Sequence, residues 1–309
     1  MRVSKAVDQF RLSCEADGLS PKTIRWYLSI LNEMLSAFVS VEVDDVTTKD
    51  LRLYIVGLRT RTERYTSEKQ KPKESGGLSE ATIASHIRAL HRFWSWASDE
   101  YQIENPMKRI KRPPKVQSRP KAIKEADFRK LFDATLNSRD RAILAFFADT
   151  GCRLGGLLSL TLDSVDITNG WAIVEEKGKQ RRKVYFTHYT GLLLYSWLDD
   201  RDAVCNSVFT SFTTGEALKP SGIHELLKRL KKRAKVTGRV NPHAFRHAFA
   251  TQYILDGGDI VTLAKQLGHS QIQTTLDYYA LFSEDELRDL QKKHSPLLRM
   301  LKRSTTTDS

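Results

Sequence analysis

The chain has 309 residues, 40% of them hydrophobic and 28% charged. That is enough apolar material for about two cored domains, and it excludes wholesale disorder. No run approaches ~18 apolar residues, so no membrane span is expected, and the opening MRVSKAVDQFRLSCEADG lacks the apolar stretch of a signal peptide. Lys and Arg number 50 against 37 Asp and Glu, a formal charge of +13; a surplus of this size points to a polyanionic partner. Cys14, Cys152 and Cys205 are widely spaced and odd in number, which gives neither a disulfide framework nor a CxxC pair. A reducing, cytoplasmic location is expected.

Along the chain, Ser20-Pro21 predicts a helix start, with Ser as N-cap and Pro at the first helical position. Ile24, Tyr27, Leu28, Leu31 and Leu35 follow at helical spacing. A second helix is predicted from Ser79, carrying Ile83, Ile87, Leu90, Phe93, Trp94 and Ala97. The two openings echo each other, LSPKTI at 19–24 and LSEATI at 78–83. The polar stretch 59–77 between them reads as a loop, and the first domain as a small all-helical bundle. Residues 108–121, KRIKRPPKVQSRPK, carry seven cations and no acid. Pro113, Pro114 and Pro120 forbid a continuous helix there, so this is read as an extended basic linker, with the domain boundary inside it.

Beyond the linker, 127–149 reads as two helices, the second, over 141–148, apolar nearly all round and therefore buried. The segments 165–167, 171–175 and 182–186 predict a small antiparallel sheet, with a hairpin turn at Lys177-Gly178-Lys179. Residues 220–235 predict an amphipathic helix, with Ile223, Leu226, Leu227 and Leu230 inward and Lys228, Arg229, Lys231, Lys232, Arg233 and Lys235 outward. Pro242 opens a helix through Leu255, Asp259 caps a short one ended by Gly268, and a last short helix holds Tyr278 and Tyr279. The tail from Ser283 holds one more helical stretch.

Four stretches stand out as chemistry: TGCRLGG at 150–156, EKGKQRRKV at 176–184, HAFRHAFAT at 243–251 and LGHSQIQTTLDYY at 267–279. Arg153 at a helix start can aim its planar fork at a phosphate, although a turn arginine is by itself ordinary. His243 and Arg246 share a helix face at i and i+3, a pairing suited to an oxyanion. A zinc pair from His243 and His247 is disfavoured by the adjacent Arg246 and the missing HExxH glutamate. Taken singly, Lys177 is a solvated turn lysine, His269 follows a helix-ending glycine, and Tyr278 is a core tyrosine.

Taken together, in this order and spacing, these residues resemble the tyrosine recombinase family, the phage integrases and Xer-type recombinases. The likeness spans nearly the whole chain. It implies a helical, SAM-like core-binding domain at 1–107, the linker at 108–121, a mixed α+β catalytic domain at 122–282, and a tail at 283–309 that contacts a neighbouring protomer. The implied catalytic set is Arg153, Lys177, His243, Arg246, His269 and Tyr278, the last nine residues beyond the second histidine, with Tyr279 as the fallback. One departure stands out: the family commonly has Ser-Glu two and three residues after the first arginine, where this chain has Gly155-Gly156. The missing acid would support the site from behind its phosphate-binding groups.

The resemblance further implies transesterification on duplex DNA. The Tyr278 hydroxyl attacks phosphorus, a 5′-hydroxyl departs, and a 3′-phosphotyrosyl intermediate stores the bond energy without ATP, metal or other cofactor. Arg153 and Arg246 would hold the nonbridging oxygens, His243 serve as acid/base, Lys177 protonate the leaving oxygen, and His269 donate to the phosphate. Two basic domains would clamp the DNA, and four protomers would assemble on two sites in the nucleoid. Two rival readings are a type IB topoisomerase, with a similar residue set, and a non-catalytic DNA-binding regulator on the same scaffold.

Overall fold

The computed structural model describes residues 1–38, 40–62, 77–114, 122–176, 180–202, 205–268, 276 and 284–294. It divides into two compact units, Met1–Gln117 and Ser118–Ser309. The first is helical: α1 (Val3–Ala16), α2 (Pro21–Phe38), α3 (Thr48–Thr60) and α4 (Glu80–Tyr101), with a 3-10 turn at Val43–Asp45.

The repeated LSxxTI motif is a repeated cap. The Ser20 hydroxyl accepts from the Thr23 amide, and Ser79 from that of Thr82, both at 3.2 Å. Each satisfies one of the donors a helix start leaves open, worth about 1 kcal/mol apiece. Helix α3 begins with a reciprocal capping box, Thr47 and Asp50. The apolar stripes then meet in one core containing Phe10, Leu31, Met34, Leu51, Leu90, Phe93 and Trp94. The Phe10 ring meets those of Tyr27 and Phe93 edge-on, at 5.7 and 5.5 Å between centroids. Met107 is fully buried in this core and Ile110 packs against it, so the chain through residue 110 folds with the first unit. Residues 115–121 of the basic stretch and 63–76 of the polar one lie outside the described residues.

The second unit comprises α5 (Glu125–Asp133), α6 (Ser138–Thr150), α7 (Leu154–Leu158), strands β1 (Val165–Asp166), β2 (Trp171–Glu175) and β3 (Arg181–Tyr185), then α8 (His188–Asp200), α9 (Pro220–Arg233), α10 (Pro242–Leu255), α11 (Ile260–Leu267) and α12 (Glu284–His294). Helix α6 is its axis. Ala142 through Phe147 are all buried, and α7, α8, α10 and β3 pack around them. The sheet is antiparallel in the order β1-β2-β3, with Ala172 opposite Val184 and Val174 opposite Arg182.

Several elements differ in extent from the sequence reading. Helix α6 begins at Ser138 and not near 141, because Asn137 caps the Asp140 amide. Strands β1 and β3 cover 165–166 and 181–185, and α9 ends at Arg233. Helices α1, α3 and α8 carry no assignment in that reading. The last has Gly191 within it, buried against Ile167 and Phe186, so tertiary packing, not propensity, fixes that helix. The helix expected around Tyr278 and Tyr279 and the turn at 177–179 lie outside the described residues.

Candidate active site

Helix α6 ends at Gly151, whose left-handed backbone (φ +58°) turns the chain sharply. A side chain here would be strained, and its Cβ would lie 2.6 Å from the Phe249 ring. The turn delivers Arg153 to the N-cap of α7. Arg246, on α10, is 3% exposed. Its Nη1 donates to the Gly151 carbonyl at 2.9 Å and its Nη2 to that of Leu267 at 2.6 Å. One buried guanidinium thus fastens the turn before Arg153 to the end of α11, two residues before His269.

Strands β2 and β3 supply a second buried charge cluster. Glu176 continues the inward face of β2 after Ala172 and Val174, and its amide donates to the Gln180 carbonyl at 2.9 Å. Its side chain is 6% exposed. One carboxylate oxygen, Oε2, pairs with Arg153 Nη1, and the other, Oε1, with Arg182 Nη2 at 2.9 Å. Arg182 also donates through Nη1 to the Gln266 carbonyl. Gly268 closes α11 in the left-handed conformation, and a Cβ there would lie 2.7 Å from Arg182 Nε and 3.3 Å from Glu176 Oε2. The described neighbours of Lys177 and His269 therefore meet in one place.

Burial sets the protonation states around this cluster. It pushes the Cys152 thiol up to about 11, against the hydrogen bond of Thr150 and the pull of Arg182 and Arg246, so Cys152 is an inert core thiol. Burial also lowers the Arg182 guanidinium from its ordinary value. His247 is driven down to about 4, first by burial and then by His243, Arg246 and Arg239, which keeps it neutral near pH 7. The exposed His243 ring lies 6.4 Å from that of His247, centroid to centroid.

Of the six residues singled out in the sequence, the structure gathers Arg153 and Arg246, and sets His243 one turn before Arg246. Lys177, His269 and Tyr278, with the fallback Tyr279, lie outside the described residues. The sequence reading passes over Glu176 and Arg182. The signal available for Glu176 was the period-2 alternation of β2, which puts an acid on a buried face within a basic stretch. Among the described residues, no group of three or more His, Cys, Asp or Glu side chains could hold a metal ion. No helix of the described residues is long and apolar enough to cross a membrane.

Comparison with known proteins adds what the geometry alone leaves open. Residues 121–285, more than half of the chain, match the model of the phage integrase family. The chain belongs to the phage integrase family. The recombinase is 30% identical over 304 residues to tyrosine recombinase XerC of Bacillus pumilus strain SAFR-032, covering 92% of this chain and 93% of that one. It is similar to the crystal structure of XerA recombinase, with 25% identity and a TM-score of 0.53, over 94% of this chain and 99% of the other. Its fold also matches the Tn1549 transposon integrase in complex with a circular intermediate DNA, at 18% identity and a TM-score of 0.74, over 95% and 99% of the two chains. This tyrosine recombinase of the Xer type accordingly has a helical domain and a mixed α+β domain, and the topoisomerase and regulator readings are not favoured.

Proposed function

We propose that this enzyme carries out site-specific DNA recombination with Arg153, Lys177, His243, Arg246, His269 and Tyr278 as its catalytic set. The observation that carries this is the buried tie from Arg246 to Gly151 and Leu267, which draws the first-arginine turn and the segment leading to the second histidine onto one helix. Family membership supports the activity, and the Tn1549 integrase complex supports DNA as the partner.

The Tyr278 oxygen attacks phosphorus and gives its proton to His243. The bond to the 5′-oxygen breaks, and that oxygen takes a proton from Lys177, leaving a 3′-phosphotyrosyl ester. A 5′-hydroxyl from a partner duplex reverses the step. Phosphodiester bonds are conserved in number, so no nucleotide or metal is required. Arg153 and Arg246 offset the charge developing on the nonbridging oxygens, and His269 donates a hydrogen bond there. Four protomers on two sites, with the C-terminal tail contacting a neighbour and the basic stretch after Ile110 joining the N-terminal DNA-binding domain to the catalytic one, complete the reading, in the cytoplasm and on the nucleoid.

The test is to trap covalent protein–DNA adducts from a library of nicked duplexes with both Tyr278→Phe and Tyr279→Phe. Wild type forms an adduct and Tyr278→Phe binds DNA without forming one. If Tyr279→Phe alone abolishes the adduct, the nucleophile is the neighbouring tyrosine.

A further inference from the structure

We propose that Glu176 is the positioning residue for Arg153, supplying from the end of β2 the carboxylate that α7 does not carry. The inference rests on the reading of Arg153 as a phosphate-binding group. Three observations on separate elements meet here. Gly156 of α7 is buried, and a Cβ on it would lie 3.3 Å from Val174 Cβ, so the face of α7 that looks at β2 has no room for a longer side chain without moving Val174. Two residues further along the same strand face, Glu176 reaches Arg153 directly. The Glu176 carboxylate is also anchored: its other oxygen bonds Arg182, which is itself held on the Gln266 carbonyl.

The asymmetry of exposure supports this role. The carboxylate side chain is 6% exposed and the Arg153 side chain 34%. The acid is fixed in the protein while the guanidinium reaches the surface at which a phosphate would bind. A carboxylate held at one terminal nitrogen restricts the rotamers of a long, flexible side chain, which lowers the ordering cost when an anion binds. A merely surface ion pair would do little of this; a buried, doubly anchored one does, because its removal leaves Arg153 and Arg182 facing each other across an empty place. Glu176 directly precedes Lys177 in sequence, so the strand end that fixes the arginine leads straight into the candidate acid.

The experiment uses a 5′-bridging phosphorothiolate duplex of the trapped sequence, on which adduct accumulates, and measures its formation rate for full-length variants. Glu176→Ala forms adduct about 10- to 100-fold more slowly than wild type, the scale for groups that orient an active-site ligand. Glu176→Gln, which keeps the volume and one acceptor, falls between them. Glu175→Gln, on the exposed side of the strand end, matches wild type. In an Arg153→Ala background, or the likewise neutral Arg153→Gln if Arg153→Ala leaves no adduct, adding Glu176→Ala slows the reaction further by no more than about threefold, because the cation through which Glu176 acts is already removed. Full additivity, or no loss from Glu176→Ala alone, overturns the proposal. If Glu176→Ala does not fold, Glu176→Gln decides by the same cycle. Absence of adduct with wild type on every duplex removes the catalytic reading itself, and this proposal with it.

Discussion

A lone lysine has no chemistry until something requires a proton, and the role proposed for Lys177 depends on the leaving group. A 5′-alkoxide is a poor leaving group, so a positioned acid matters greatly; a bridging thiolate is weakly basic and hardly needs one. Lys177→Ala should be severely slowed on ordinary DNA and largely rescued on the phosphorothiolate strand, while Arg153→Ala, whose proposed task is the nonbridging oxygens, should not be rescued the same way. Comparable rescue of both variants, or none for Lys177→Ala, removes the general-acid role and shifts attention to Lys179. His247 makes a different kind of test. Its folded value is about 4 against an ordinary 6.5, lowered first by burial and then by His243, Arg246 and Arg239. Between those values the unfolded chain takes up a proton that the folded chain does not, so stability is full above pH 6.5 and declines as pH falls towards 4. Replacing His247 by Gln should reduce that slope in urea unfolding across this window. Burial lowers His86 and His91 in the first unit as well, so part of the slope remains; an unaltered slope would show that His247 does not contribute.

At the scale of elements, the site is held by where helices and strands stop. Gly151 ends α6, Gly268 ends α11, and Glu176 extends the inward face of β2 past its last strand residue. Gly268 and Gly215 have nearly equal left-handed backbones, φ +65° and +66°, but a Cβ on Gly215 would meet open space whereas one on Gly268 would press on Arg182. Alanine at either position carries the left-handed penalty of about 1–2 kcal/mol. Gly268→Ala should lower Tm by more than Gly215→Ala, and it alone should slow adduct formation, because Arg182 can yield only by shifting Glu176 and with it Arg153. Equal effects of the two substitutions on both readouts would mean that Arg182 moves aside without consequence.

For the molecule as a whole, the +13 charge becomes a statement about binding once its placement is known. Helix α9 buries Ile223, Leu226, Leu227 and Leu230 and exposes Lys228, Arg229, Lys232 and Arg233, a predominantly cationic outer side that also carries Glu225 beside Lys228. Affinity for a random-sequence duplex should fall linearly on a log–log plot against salt. Changing Lys228, Arg229 and Lys232 together to Ala should flatten that line by about 0.9 for each phosphate the helix no longer neutralises, measured by fluorescence anisotropy. Parallel lines for wild type and the triple variant would place the DNA elsewhere.

The sequence by itself determined the local chemistry. The caps at Ser20, Ser79 and Asp259, the amphipathic period of 220–235 and the Pro242 helix start each depend on neighbours within one or two turns, and short-range rules suffice for them. Order and spacing likewise pointed to Arg153, His243 and Arg246, because residue identities at fixed spacings can be matched to a family pattern without the fold. Tertiary structure alone decided what these residues touch. Arg246 reads as a phosphate ligand in sequence; in the fold its guanidinium also ties Gly151 to Leu267, partners 95 and 21 residues away. The carboxylate missing after Arg153 left a gap that no local rule fills. Its proposed counterpart, Glu176, lies 23 positions on, just past the end of a strand whose register against Arg182 is set by pairing across the hairpin. A meeting of side chains distant in sequence depends on the path of the whole chain, and only the packed sheet and helices specify that path.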